Sequence, residues 1–426
     1  MNLPAFLFVV VAGFFLFKLP RQWAALPLLI GASYMTLGPS LDVGPLHFTV
    51  IRILVGIGVV RVMVRGERIG NEWHILDKLM VFWGVATVCS AVFHRNIAEA
   101  LVFRLGLAYN GLGLYFLLRV FIQDTNDIFR ICTMVLITLV PVAVEMAVES
   151  ITTRNFFSFL GGVSEYCEIR GGKPRAQGPF AHSILAGTVG AVCLPMALAI
   201  WRRNRRLALI GLLATGTIIL CSRSSGPIMA AFFALFGVML WKFRHRMRLI
   251  RWSLVLGILA LAAVMNAPIY YILDRIDFTG NSTGWHRAYL MESALTHFGD
   301  WWLGGTDFTR DWTPNAGYND DETDITNHYI RMAVWGGLPM LVLFVAGLGT
   351  SFRRVGNALR SDPEAPDQEQ FLIWCLGSIL FSHAATMISV SYFDQSVFFL
   401  YLVLAAIGSL RIGPRNTALV DELQTT

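Results

Sequence analysis

From Leu207 to Ser222 the chain carries no charged side chain, and apolar runs of this kind recur from Leu3 almost to the C-terminus. About 20 apolar residues cross the hydrocarbon of a bilayer as a helix, because a helix satisfies its own backbone N–H and C=O groups where water is absent. Repeated runs therefore point to an all-α fold, a polytopic transmembrane helical bundle. Several soluble domains are excluded by charge: only 15% of residues are charged, against about a quarter in a soluble globule. We read residues 1–426 as a single integral-membrane domain.

The pattern predicts spans near 3–17, 22–38, 46–64, 76–93, 98–119 and 127–148, then 180–201, 206–221, 226–242, 250–268, 327–350, 370–388 and 394–411. That makes about 12–13, depending on whether the short first one is interfacial. The N-terminal run has no basic start and no small-residue cleavage site, so it reads as a retained helix and not a signal peptide. Basic clusters mark the cytoplasmic side: Arg202, Arg203, Arg205 and Arg206; the run from Lys242 to Arg251; Arg353, Arg354 and Arg360; and Arg411 with Arg415. Residues 149–179 and 269–325 then form extracytoplasmic loops, and 361–370 is a cytoplasmic turn. The net charge of +6 follows from topology and does not call for nucleic acid. Six cysteines without a CxxC spacing suggest neither a disulfide framework nor a zinc site.

Chemistry gathers on the outer face. In Arg170-Gly-Gly-Lys173-Pro-Arg175 two glycines permit a tight turn, and three close cations suit a diphosphate; lipid headgroups are the plainer alternative. The short turn Cys221-Ser-Arg223-Ser-Ser-Gly-Pro227 holds Arg223 near the hydrocarbon boundary, where an unpaired guanidinium is costly and a phosphate is a good partner. Snorkelling to headgroups would also explain it. Three helix starts face outward, at Gly178-Pro179, at Ser225-Gly226-Pro227, and after Asp324 or Thr326, and each offers N–H groups to an anion.

The long loop has its own pattern. Ala288, Met291, Leu295, Phe298 and Trp302 recur at helical spacing and predict an amphipathic helix on the membrane surface, with Arg287 at the border of the stripe. The acidic run from Asn319 to Asp324 lacks the spacing of a calcium loop and reads as solvated. His328, in the first turn of the following span, is a candidate general base. No HExxH-type metal spacing occurs.

Taken together these motifs resemble the O-antigen ligase and Wzy-type polysaccharide polymerase superfamily, integral-membrane glycosyltransferases of the GT-C type. The resemblance is carried by Arg175-Ala-Gln-Gly-Pro-Phe-Ala-His182, Ser222-Arg223-Ser224 and Trp285-His286-Arg287. It continues through His297-Phe-Gly-Asp-Trp-Trp-Leu-Gly304-Gly305 and closes on Asn327-His328-Tyr329-Ile330 before Gly336-Gly337. It covers about residues 170–350. Asparagine here precedes the histidine, where the family often has it afterwards, which makes the assignment of His328 weaker than that of the arginines.

The resemblance implies inverting, metal-independent and cofactor-free transfer of a glycan from undecaprenyl diphosphate, on the periplasmic face of the bacterial cytoplasmic (inner) membrane. Arg223, Arg287 and His328 would be catalytic. Arg175, Lys173, Arg170, His182, His286 and Trp285 would join the arginines in binding diphosphate and glycan. Partners would be the lipid-linked donor, a glycan or lipid A core acceptor and the bilayer, with a flippase and a chain-length regulator as further candidates. Block-wise polymerisation of an O-antigen or exopolysaccharide is the leading expectation, and ligation to lipid A core is the close alternative. A transporter or flippase of the lipid-linked glycan is disfavoured, because mid-span charges such as Arg52, Arg104 and Glu145 are few and no repeat relates the two halves.

Overall fold

Short polar side chains start many of the helices. Asn2 accepts the Ala5 amide at 3.1 Å, and Asn96, Asp124 and Asn204 cap their helices in the same way. A computed structural model describes residues 1–70, 72–272, 284–312, 323–393 and 395–412. Its helices are α1 (Leu3–Lys18), α2 (Ala25–Tyr34), α3 (Val50–Arg65), α4 (Ile75–Cys89), α5 (Ile97–Phe121), α6 (Thr125–Thr152) and α7 (Ser183–Ala199). They continue as α8 (Arg205–Cys221), α9 (Ser225–Met239), α10 (Met247–Val264), α11 (Gly284–Thr296), α12 (His328–Ser361), α13 (Asp367–Thr386) and α14 (Ser396–Gly408). The architecture is all-α apart from two small hairpins, and a helix lies in every interval expected from the sequence.

Among the described residues, five apolar helical segments are long enough to cross a membrane: Ile75–Phe93, Ile97–Phe121, Thr125–Thr152, Ser225–Val264 and His328–Ser361. Packing fits an apolar solvent. On α1, Leu3, Phe6, Leu7, Val10, Val11 and Phe14 are exposed along one stripe, while Ala5, Val9, Ala12 and Leu16 are buried on the other. Such a stripe is expensive in water and costs nothing against lipid. Nearly all of α7 and α14 is buried, and these two helices form the centre of the bundle.

Two expected intervals are altered. The interval 22–38 holds only the ten-residue α2. The interval 46–64 begins as a strand, because Ser40–Val43 (β1) pairs antiparallel with Leu46–Thr49 (β2) across Gly44-Pro45. Gly44 has a φ of +59°, which the turn requires. The basic run expected to separate two spans lies largely on a 3-10 segment, Leu240–Arg246, between α9 and α10.

Long-range hydrogen bonds define the two ends of the bundle. At one end Arg119 pairs with Asp77 at 3.1 Å, and Arg354 donates to the carbonyls of Gly408 and Leu410. At the other, the His328 amide donates to the Met387 carbonyl at 2.8 Å, and Gln395 donates to the carbonyls of Met35 and Pro179. The starts of α7, α9, α12 and α14 and the carboxyl ends of α2, α6, α8 and α13 meet at this second end.

Candidate functional site

The basic loop is a β-hairpin. Glu168–Arg170 (β3) pairs with Lys173–Arg175 (β4), and Gly171 and Gly172 form the two-residue turn with φ of +57° and +73°. Arg175 stands opposite Glu168 and pairs with it at 2.8 Å, while its other arm donates to the Ser224 hydroxyl. Burial lowers the Arg175 guanidinium from its ordinary value, and Glu168 opposes that shift. Arg175 is therefore occupied, tying the hairpin to the turn that carries Arg223. Arg170 and Lys173 are exposed beside the hairpin turn.

The expected anion site at Gly178-Pro179 is corrected. The Gln177 and Gly178 amides donate to Glu149 Oε2 at 3.1 and 2.8 Å, so an internal carboxylate holds the N–H groups that a phosphate would need. Helix α7 begins at Ser183, where His182 Nδ1 accepts the Ile184 amide at 3.1 Å. His182 lies within electrostatic reach of Arg175, Glu168 and Asp324, so the hairpin, the start of α7 and the end of the long loop adjoin one another.

Arg223 occupies a strained turn. Its φ is 43°, a left-handed conformation costing a non-glycine residue roughly 1–2 kcal/mol. Its side chain is exposed and has no partner among the described residues. Ser224 donates its hydroxyl back to the Ser222 carbonyl at 2.9 Å, and among the described residues no side chain caps the first amides of α9. The turn packs against α7 because residue 187 is glycine: a Cβ there would lie 2.6 Å from the Pro227 ring.

The long loop contains a helix where one was expected. In α11, Leu290 and Ala294 are buried against Trp301, Trp312, Ile325 and Ile330 and Ala288 is also buried, whereas of the expected stripe Leu295 is 62% exposed and Phe298 and Trp302 also face outward. Two hydrogen bonds fix its inner face, from the Ser293 hydroxyl to the Trp312 carbonyl at 2.8 Å and from Trp301 Nε1 to the Ala294 carbonyl at 2.7 Å. Arg287 lies between the two faces. Its Nε is buried, its side chain has no partner among the described residues, and burial alone pushes the guanidinium below its ordinary value. His286 donates from Nε2 to the Asp324 carbonyl at 3.2 Å, with Trp285 edge-on to its ring. Of the acidic run, Asn319–Glu322 lies outside the described residues.

At the start of α12 the cap is Asn327, not Asp324 or Thr326. Its side chain accepts the Tyr329 and Ile330 amides at 2.9 and 3.1 Å. His328 is buried, and its Nδ1 accepts the Tyr392 amide at 3.2 Å. A neutral imidazole whose Nδ1 lone pair is occupied carries its proton on Nε2, so the ring acts as a donor. That is opposite to the general-base expectation. Tyr392 is in turn held by His383, whose Nδ1 is 3.0 Å from the phenolic oxygen. Sequence reasoning missed both residues, although a histidine within an apolar run was a signal in itself.

The two glycine pairs face each other. Residues 336 and 337 break α12, with Gly337 at φ 69°, and a Cβ on Gly337 would lie 2.6 Å from the Leu303 carbonyl. The Leu338 amide donates to the Trp302 carbonyl at 2.8 Å and the Thr306 amide to the Val334 carbonyl at 2.9 Å. Backbone thus crosses backbone where any side chain would intrude. Compared with family models, curated proteins and solved structures, the chain matches none.

Proposed function

We propose that the protein is an inverting membrane glycosyltransferase, a block-wise polymerase of a cell-surface polysaccharide that uses an undecaprenyl-diphosphate-linked donor. It would lie as 12–13 spans in the bacterial inner membrane with its site on the periplasmic face. The observation that carries this reading is Arg287, a largely buried cation with no protein counter-charge among the described residues, at the same end of the bundle as the unpartnered Arg223. Two such guanidiniums suit a ligand with two phosphates.

In the proposed reaction an acceptor hydroxyl attacks the anomeric carbon as the bond to the diphosphate oxygen breaks; the electron pair leaves with the diphosphate, and the hydroxyl proton passes to the departing diphosphate oxygen or to water. Arg223 and Arg287 stabilise that growing charge, with the uncapped start of α9 adding its dipole. Arg175 positions the Arg223 turn. His328, as a donor from Nε2, holds an oxygen of the reacting groups. To serve as base it would first have to move its proton to Nδ1 and release the Tyr392 amide.

The test incubates purified protein with undecaprenyl-diphosphate oligosaccharide, with and without lipid A core. A ladder formed without core supports polymerisation. A single core-dependent product would replace it with ligation, and movement across liposomes without a product would replace it with transport.

A further inference from the structure

Helices α3, α4 and α5 enclose an open groove of about 550 Å³ lined by Val59, Val85, Val88, Leu105, Ala108 and Leu112. None of these helices carries Arg223, Arg287 or His328. Tyr109, itself part of the lining, donates its hydroxyl to the Arg52 carbonyl at 3.0 Å, which sets Arg52 beside the groove. The Arg52 side chain is fixed: Nε donates to Asn110 Oδ1 at 3.2 Å and Nη1 to the His47 carbonyl at 2.6 Å. Gly106 lets the guanidinium approach, since a Cβ there would lie 2.8 Å from Nη2.

Both hydrogen-bond partners of Arg52 are neutral. Asp42, on the adjacent hairpin, is engaged by His47 at 2.6 Å and by Ser40, and among the described residues no carboxylate pairs with Arg52. A fixed cation with neutral partners, beside an apolar trough, is complementary to an amphiphile with an anionic head and a hydrocarbon tail.

We propose that this groove is a binding site for an anionic glycerophospholipid of the surrounding bilayer, with its phosphate on Arg52 and one acyl chain along the trough. The volume suits one acyl chain and is too small for a long polyprenyl tail. The site stands apart from the proposed transferase centre, and its test does not depend on that activity.

Native mass spectrometry of the full-length protein, exchanged into detergent with equal amounts of phosphatidylglycerol and phosphatidylcholine, reads the site directly. The wild type should retain phosphatidylglycerol preferentially. Arg52→Gln, which keeps a hydrogen bond to Asn110, should reduce that retention about fivefold. Ala108→Phe, which fills the groove and leaves Arg52 intact, should reduce it as well. Equal retention of the two lipids by the wild type, or wild-type retention of phosphatidylglycerol by either variant, would overturn the proposal.

Discussion

Arginines near hydrocarbon in this protein are nearly all answered by a partner. Arg61 has Glu67 at 2.7 Å, Arg119 has Asp77, Arg175 has Glu168, and Arg354 has three backbone carbonyls. Arg287 and Arg223 break the pattern, and that contrast makes them the functional candidates. Replacing either by alanine should lower transfer by about 10²–10³ while leaving the yield of folded protein unchanged. Lysine should restore little, because it cannot make a bidentate phosphate contact. Full product yield from either alanine variant would remove that residue from the site. At His328 the test is chemical: Gln keeps an N–H near the Nε2 position, so His328→Gln should retain turnover that His328→Ala loses. Equal loss in both, together with loss of the acidic limb of the pH profile in His328→Gln, would restore the general-base role. The positions of Arg223 and His328 at helix ends were legible from their neighbours in the chain. Tyr392 was not, because a hydrogen bond across 64 residues leaves no trace in local spacing, and His383 showed only as a histidine within an apolar run.

Elements were legible to the extent that hydropathy and turn chemistry act locally. Helices fall where apolar runs lie, and Gly171-Gly172 makes the hairpin turn that two adjacent glycines favour. Contacts that reach across the chain escaped, such as those of Ser293 and Trp301 to backbone carbonyls, which no periodicity reveals. The expected anion site at Gly178 failed for the same reason, as Glu149 reaches it from another helix. Two predictions belong at this scale. Gly187→Val should overpack the contact with the Arg223 turn, costing about 1–3 kcal/mol and lowering activity more than the alanine variants of exposed Arg170 or Lys173; wild-type melting and turnover would contradict it. The second concerns the Asp307 carboxylate, which joins His94 and the Arg95 amide to the loop. Burial alone would raise its pKa, but the Arg95 amide, His94 and Arg104 outweigh it and hold it below the ordinary value. A depressed folded pKa contributes stability above the unfolded value, near pH 4, that is lost as pH falls through the folded value. Proteolysis of the loop should therefore accelerate below about pH 4 in wild type, and Asp307→Asn should abolish that pH dependence.

Across the whole molecule the two ends differ in how completely their polar groups are satisfied. At one end Asp77 receives Tyr115 at 2.7 Å and Arg119 twice, while Arg119 also donates to Ser409. Both members of that ion pair are fully buried, so Arg119→Ala should destabilise the protein by about 3–5 kcal/mol, read as a fall in thermal midpoint. An unchanged midpoint would show that this network does not hold the bundle together. The opposite end keeps Arg287, Arg223 and the start of α9 open, as a binding surface needs. The pairing within each end was not legible in the sequence, because its partners lie on different helices. The crossing of the two glycine pairs adds a mechanical consequence. Because residues 302–306 are stitched to Val334 on one side of the break in α12 and to Leu338 on the other, the long excursion is fastened to both halves of that helix. Arg287, carried by the excursion, would then move with α12, and admitting a bulky lipid-borne chain would mean parting it from the turn that bears Arg223.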